Sequence, residues 1–196
     1  MFYDAVKNDH GFQYDPFKAI VAPRPIGWVS TLSPDGKSNL APYSYFNAFS
    51  QAPHYVAFGS GPRKDSMRNI EETGEFTFSL ATYDLREQMN ASSAHVTTDE
   101  FELAGLTKAD SQIVKPPRVA ESPAALECCL HRIVPLPDDD GNAHNFLIIG
   151  RVLGIHIDDR FIVEGRVDTA AMRPIARLGY SEYATVGEAW RMRRPD

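Results

Sequence analysis

The chain of 196 residues is long enough for a substantial core, and residues 1–196 are predicted to form a single domain. Its net charge of -6 disfavours nucleic-acid binding, which requires a basic face, and no apolar run approaches the ~20 residues that cross a bilayer. The first ten residues lack the pattern of a signal peptide. The two cysteines, Cys128 and Cys129, are adjacent and form no CxxC pair, so a cytoplasmic location and no membrane partner are expected.

Short strands separated by turns dominate the pattern. In chain order, the predicted strands cover residues 26–32, 54–58 and 75–81. A long hairpin then pairs residues 126–134 with residues 144–157 across a turn rich in aspartate and glycine. Glycines inside the second arm predict a bulge or bend, which is common where a sheet curls into a barrel.

Three helices are predicted between these strands. The first is capped by Asp65 and ends at Gly74, the second covers residues 85–94, and the third lies within residues 98–104. Strands joined mainly by turns, with a few inserted helices, favour a predominantly β fold built as an antiparallel barrel. They disfavour a doubly wound parallel sheet.

A glycine-containing turn, FGSGPRKDS at residues 58–66, connects a predicted strand to the first helix. A Rossmann turn is disfavoured, because Lys64 occupies the third glycine position and no parallel βαβ unit is evident. The free amides of the helix start, the charges of Arg63 and Lys64 and the hydroxyls of Ser60 and Ser66 suit a phosphate monoester. The alternative is a solvated loop before an ordinary capped helix.

The next informative segment is SNLAPYSYFNAFSQAP, residues 38–53, which is predicted as a loop. It carries four aromatic residues interleaved with serine and asparagine. Such a surface can bracket a flat heteroaromatic ring and form hydrogen bonds with its edge atoms. The alternative is a loop that folds onto the core of the protein.

These segments together resemble the flavin-reductase-like, FMN-binding split-barrel proteins. The resemblance rests on PRPIGWVSTLSPDGKSNLAPYSYFNAFSQAP followed by GPRKDSMRNIEETGEF, and it continues through MNASSAH, DEFELAGLT and RPIARLGYSEYA. It implies a six-stranded antiparallel split β-barrel, a homodimer and FMN bound near the subunit interface.

The resemblance also implies which residues bind the flavin. Its phosphate-holding turn corresponds to Arg63, Lys64, Asp65 and Ser66, to which the turn chemistry adds Ser60. The family often carries threonine where this chain has Ser66, and the hydroxyl is preserved. The segments that line the ring and ribityl chain correspond to Trp28, Ser30, Thr31, Ser44, Tyr45, Phe46 and Asn47. Ser92 and Arg177 match later segments that can contribute flavin contacts from the partner subunit.

No metal site or nucleophilic catalyst is predicted. The six histidines lack ligand spacing, and no Ser-His-Asp or Cys-His arrangement can be proposed. His95 and His144 are predicted in loops from which they could approach a bound ring. The hydride and electron transfer would therefore be carried by the flavin itself.

Three functions follow as alternatives. The predicted function is an NAD(P)H-dependent flavin reductase or related FMN oxidoreductase. The second is an FMN-binding electron carrier without nicotinamide activity, and the third is a split barrel that binds another ligand, such as haem, or none. A partner monooxygenase is compatible with the first function, but no motif in the chain indicates one.

Overall fold

The computed structural model describes residues 1–94 and 98–195, so His95 lies outside the described residues. The α-helices of the described residues are α1 (Phe17–Ile20), α2 (Asp65–Thr73), α3 (Arg86–Ala91) and α4 (Glu100–Ala104). The longer strands are β2 (Gly27–Leu32), β3 (Ser38–Tyr43), β4 (Phe46–Gln51), β5 (His54–Ser60), β6 (Glu75–Leu80), β9 (Ala124–Pro137) and β10 (Ala143–Ile157). The short ones are β1 (Arg24–Pro25), β7 (Lys108–Ala109), β8 (Arg118–Val119), β11 (Ile162–Val163), β12 (Arg166–Val167), β13 (Ile175–Arg177) and β14 (Tyr183–Thr185).

The main sheet is antiparallel and open, with the strand order β3-β2-β6-β9-β10-β5-β4. A smaller sheet has the order β1-β13-β14. The expected predominantly β fold with inserted helices is confirmed, and an open sheet of this kind is what a split barrel requires. The two edge strands, β3 and β4, follow each other directly in the chain.

The segment predicted as a loop over residues 38–53 instead supplies both edge strands. A bend at Ser44 and Tyr45 separates β3 from β4. The sequence obscures β3 because it contains Pro42, which cannot donate a backbone hydrogen bond. At a sheet edge that lost donor does no harm, so the proline is tolerated there.

Two apolar clusters pack on opposite faces of the sheet, and β2 contributes to both. Trp28 and Leu40 belong to the first cluster, together with Met89 and Phe101 from α3 and α4. The second cluster contains Val29, Tyr43, Val56, Phe58, Ile70, Phe76, Cys128 and Ile148. Because β2 is covered on both faces, its residues from Gly27 to Thr31 are all buried.

The long hairpin of β9 and β10 is confirmed, and its register shifts between Ile149 and Gly150 and between Val152 and Gly154. At the first of these bulges, an added Cβ on Gly150 would overlap the buried ring of Phe76. The glycine is therefore required by close packing as well as by the bend.

The predicted helices are present with altered starts. The first helix begins at Asp65 rather than after it, and Lys64 occupies the N-cap position without a side-chain capping bond. The Asp65 carboxylate forms an ion pair with Arg68 one turn along instead. Gly74 ends this helix with φ 74°, and Gly105 ends α4 with φ 65°, as expected for left-handed C-caps.

Among the described residues, no helix combines the length and apolar character needed to span a membrane. The same part of the chain contains no group of three or more His, Cys, Asp or Glu side chains arranged to hold a metal ion.

Candidate functional site

A cleft of about 280 Å³, called here the first cleft, opens at the N-terminus of α2. Strand β3, the residues that follow α3 and the start of α4 form its other walls. Its lining residues are Asn39, Ala41, Pro42, Tyr43, Lys64, Asp65, Ser66, Ser92, Ser93, Ala94 and Glu100. Four of the predicted site residues, Lys64, Asp65, Ser66 and Ser92, therefore meet in one place.

The N-terminus of α2 leaves amide groups available at the first cleft. The N-cap residue Lys64 forms no side-chain capping bond, and the first helical bond to its carbonyl comes from the Arg68 amide. The amides of the first turn and the positive end of the helix dipole therefore favour an anion at this position. Lys64 adds a formal charge, and among residues 1–94 and 98–195 no carboxylate forms an ion pair with it.

Hydroxyl groups line the floor beside this helix start. The Asn39 amide donates to Ser66 Oγ at 2.8 Å, which holds the Ser66 hydroxyl at the junction of β3 and α2. Burial raises the pKa of the Tyr43 phenol, while hydrogen bonds with the hydroxyls of Ser66 and Ser60 act in the opposite direction. Tyr43 is therefore a neutral hydroxyl at physiological pH that can share hydrogen bonds with its neighbours.

Thr31 supports the first cleft from below. Its Oγ1 accepts a hydrogen bond from the Asn69 amide at 3.0 Å, and both residues are buried. This bond fixes α2 against β2, so Thr31 positions the helix start rather than lining the cleft.

Trp28 also acts from beneath the surface. Its side chain is fully buried, and the indole N–H donates to Ser92 Oγ at 2.9 Å. Ser92 in turn donates to the Met89 carbonyl at 2.8 Å. The family resemblance places Trp28 in a segment that lines the flavin, and in the structure its buried side chain holds the wall that contains Ser92.

Glu100 is a cleft residue that the sequence reasoning missed. It is the first residue of α4, and its Oε2 accepts a hydrogen bond from the Leu40 amide at 3.2 Å. Burial raises the pKa of this carboxyl, and the nearby charge of Asp99 acts in the same direction. An acidic residue in a first helical turn is common at the sequence level, so only the fold indicates that it faces the cleft. Asn39 and Ser93 also line this cleft without having been predicted, and Tyr43, one of the four aromatic residues of residues 38–53, lines this cleft rather than the second.

Arg63 lies outside the first cleft. Its Nε donates to Glu71 at 2.7 Å, and a second bond from the same guanidinium reaches the same carboxylate oxygen. This ion pair holds Arg63 along α2. Ser60 is buried at the end of β5 beneath the turn, near the Pro62 carbonyl, and is absent from the cleft lining.

The aromatic segment lines a separate cleft of about 860 Å³, called here the second cleft. Ser44, Tyr45, Phe46 and Asn47 contribute to it, along with residues of α1, β1, β5 and the tip of the β9–β10 hairpin. Tyr45 is 46% exposed beside the Arg24 guanidinium, whereas the Phe46 ring stacks on Phe78 with ring centroids 4.6 Å apart. Within one chain, the predicted phosphate turn and residues 44–47 of the aromatic segment therefore face different clefts.

The remaining predicted residues line neither cleft. Ser30 is buried within β2, and its hydroxyl has no hydrogen-bond partner among the described residues. Arg177 lies in the small sheet, where its guanidinium donates to the Tyr180 carbonyl at 2.5 Å and to the Tyr183 hydroxyl. His144 lies in β10 rather than in a loop, with its ring 3.6 Å from Asp138.

Comparisons with known proteins show which family the chain belongs to. Residues 21–170, more than half of it, match the model of the flavin reductase like domain. An uncharacterized protein of Halalkalibacterium halodurans is 35% identical over 182 residues, which cover 89% of this chain and 87% of that protein. The uncharacterized protein YwrF of Bacillus subtilis is 33% identical, with 93% of each chain covered.

Solved structures agree in fold. The nitrilotriacetate monooxygenase component B of Bacillus cereus superimposes with a TM-score of 0.91, at 29% identity and 98% coverage of both chains. The 2-nitrobenzoate 2-nitroreductase NbaA of Pseudomonas fluorescens gives a TM-score of 0.87 at 25% identity, covering 100% of this chain and 96% of that one. Flavoredoxin of Desulfovibrio vulgaris (Miyazaki F) shares the fold with a TM-score of 0.77 at 23% identity, covering 87% of this chain and 90% of that one. Taken with the matching family model, these likenesses show that the chain belongs to the flavin-reductase-like family.

Proposed function

We propose that this protein is an FMN-dependent oxidoreductase of the flavin reductase type, with NAD(P)H as the reductant. The observation that carries the proposal is the uncapped N-terminus of α2, which opens with Lys64 and Ser66 onto the first cleft. Membership of the flavin-reductase-like family supports a flavin as the ligand.

The residues of the first cleft fit the phosphate end of FMN. The amides of the first α2 turn, the Lys64 ammonium and the Ser66 hydroxyl supply donors for a group that carries nearly two negative charges at neutral pH. Asp65 does not oppose this, because its carboxylate is paired with Arg68. Ser92 and Ser93 provide further hydroxyls on the facing wall for the ribityl chain.

When bound, FMN supplies hydride and electron transfer, which explains why the chain needs no acid, base or nucleophile of its own. The protein binds the phosphate, orients the rest of the ligand and limits its contact with water. Trp28 and Thr31 serve the same end indirectly, because they fix the two walls that hold Ser92 and Ser66.

We also propose that the chain works as a homodimer with the flavin near the subunit interface. The second cleft supports this, because it exposes Tyr45 and Phe49, which is 65% exposed, beside the apolar residues of α1. In such a dimer, Ser44 to Asn47 and Arg177 would contact the flavin from across the interface. Sedimentation analysis that finds only monomers at micromolar concentration would contradict this part of the proposal.

Two routes for the electrons follow from the structural relatives. The Bacillus cereus relative is a monooxygenase component, which favours delivery of reduced flavin to a partner enzyme. The Pseudomonas fluorescens relative is a nitroreductase, which favours direct reduction of a small substrate.

The free thiols of Cys128 and Cys129 are compatible with the proposed cytoplasmic location.

Anaerobic stopped-flow mixing tests the nicotinamide step. The protein reconstituted with FMN should lose its oxidised flavin absorbance when mixed with NADH or NADPH, faster than free FMN does under the same conditions. If FMN binds but neither nicotinamide bleaches it, the reductase activity is wrong and the electron-carrier function replaces it.

A further inference from the structure

The first cleft contains a carboxyl group that works against a phosphate ligand. Glu100 lines the same cleft as the N-terminus of α2, and its single hydrogen bond in the described structure comes from the Leu40 amide. Among the described residues, no lysine, arginine or histidine forms an ion pair with it. An anion site would normally exclude such a group, so its presence requires an explanation.

Among the described residues, Glu100 is the acidic residue of the cleft lining that forms no ion pair. On α2, Asp65 is paired with Arg68, so Lys64 is the charged cleft residue of that helix start that forms no ion pair among the described residues. Next to Glu100, Asp99 is held by Lys108 at 2.5 Å and by the Ser38 hydroxyl at 2.5 Å. The β3 wall and the described cleft residues after α3 contribute polar but uncharged groups, namely Asn39, Tyr43, Ser92 and Ser93.

In a cleft of only about 280 Å³, a carboxylate and a phosphate lie within a few atomic diameters of each other. At such separations, two like charges near a protein surface repel by about 1.4 kcal/mol or more, which is enough to change a dissociation constant by about tenfold. Glu100 and Lys64 therefore have opposite effects on the same ligand group.

Building on the proposed function, we propose that Glu100 lowers the affinity of the first cleft for the flavin phosphate, so that the flavin exchanges with solvent. The protein would then use FMN as a passing substrate rather than retain it as a tightly held cofactor. This exchange matches the release of reduced flavin to a second enzyme, and it assigns a role to a residue that has no part in holding the ligand.

The test compares FMN and riboflavin binding by flavin fluorescence quenching at neutral pH for the unmodified protein and for Glu100→Gln. Glutamine keeps an oxygen acceptor for the Leu40 amide, so the α4–β3 contact is preserved. We expect Glu100→Gln to bind FMN about tenfold more tightly and to release it correspondingly more slowly. Riboflavin, which lacks the phosphate, should bind both proteins equally.

Glu102→Gln is the matched control, because Glu102 carries the same charge on the same helix but lies exposed outside the cleft. Its FMN affinity should equal that of the unmodified protein. An unchanged or weaker FMN affinity in Glu100→Gln overturns the inference while leaving the proposed function intact. Equal tightening of riboflavin and FMN also overturns it, because charge repulsion acts only on the phosphate. A protein that binds neither flavin overturns the proposed function itself.

Discussion

Lys64 and Arg63 show that neighbouring residues of one motif can have different surroundings. Both were predicted from the turn sequence to hold a phosphate, since each carries a positive charge beside a helix start. In the structure, Lys64 lines the first cleft, whereas Arg63 is held by Glu71 along the exposed side of α2. The turn sequence predicts a positively charged helix start. Which of the two cations lines the cleft depends on Glu71, eight residues after Arg63 in the chain, because its carboxylate holds the Arg63 guanidinium.

Single alanine substitutions separate the two residues. We expect Lys64→Ala to weaken FMN binding by about 1.5–3 kcal/mol, the value of a hydrogen bond to a charged group. Arg63→Ala serves as the comparison and should weaken binding by less than half as much, because its guanidinium is paired with Glu71 outside the cleft. Isothermal titration with FMN measures both, and equal losses would show that Arg63 leaves Glu71 to bind the ligand.

The buried indole of Trp28 stabilises the cleft wall that contains Ser92, an effect that its place in a binding motif does not indicate. Replacing it with phenylalanine keeps most of the buried ring but removes the donor to Ser92. We expect Trp28→Phe to lower the free energy of unfolding by about 1–3 kcal/mol and to weaken FMN binding through the displaced Ser92 wall. Chemical denaturation and FMN titration measure the two effects.

Trp190→Phe is the control for Trp28→Phe, since Trp190 is 74% exposed and should affect neither quantity. If Trp28→Phe loses stability but keeps full FMN affinity, then the Ser92 wall does not depend on the indole hydrogen bond.

At the scale of elements, Glu127 fastens a loop across the sheet. The loop, residues 110–117, is called here the strap. Glu127 is fully buried on β9, and its carboxylate accepts hydrogen bonds from the amides of Gln112, Ile113 and Val114 at 2.6 to 3.0 Å. His156 on β10 lies 2.5 Å from the same carboxylate. A loop without regular structure is thus fixed by one side chain, a long-range effect that local sequence patterns do not predict.

The strap makes the protein sensitive to acid. Burial alone raises the pKa of the Glu127 carboxyl, but the hydrogen bonds from the strap amides and His156 outweigh it and lower the pKa from 4.5 to about 2. The stabilisation by the carboxylate is therefore complete above pH 4.5 and is lost progressively as the pH falls toward 2. Urea denaturation over this range should show a falling midpoint, and Glu127→Gln should flatten that fall.

At neutral pH, Glu127→Gln should lower the free energy of unfolding by about 3–5 kcal/mol, as expected for a disrupted buried ionic group. Glu72→Gln, on the exposed side of α2, is the control and should change it little. A stable Glu127→Gln protein with an unchanged acid profile would show that the strap is held by its other contacts.

At the scale of the whole molecule, the sequence predicts most elements but not how they meet. The long hairpin of β9 and β10, strands β2, β5 and β6 and the ends of α2 and α4 follow from local patterns of alternation, turns and glycine caps. Strands β3 and β4 do not, because Pro42 and the Ser44–Tyr45 bend interrupt the alternation that marks a strand. The separation of the predicted site into two clefts could not be predicted either, since it depends on the sheet topology that places β3 and β4 at opposite edges.

The bend at Ser44 and Tyr45 is the covalent link between those two edges, and it is anchored by a 2.7 Å hydrogen bond from the Gly59 amide to the Tyr45 carbonyl. Insertion of two glycines between Ser44 and Tyr45 should therefore lower the free energy of unfolding by clearly more than the about 0.6 kcal/mol expected from a doubled loop length. Thermal and urea denaturation measure the loss.

The same insertion between Asp139 and Asp140, in the exposed turn of the β9–β10 hairpin, is the matched control and should have a much smaller effect. Equal losses of unfolding free energy at the two positions would mean that the link between strands β3 and β4 contributes no more to stability than an ordinary exposed turn.

The bend also joins the two clefts. Residues 39 to 43, on its N-terminal side, line the first cleft except for Leu40, and residues 44 to 47, on its other side, line the second. A ligand that displaces one of these walls must shift the other within a single peptide unit or two. We therefore expect the chemical shift of the half-exposed Tyr45 ring to change when a phosphate binds on the other side of the bend.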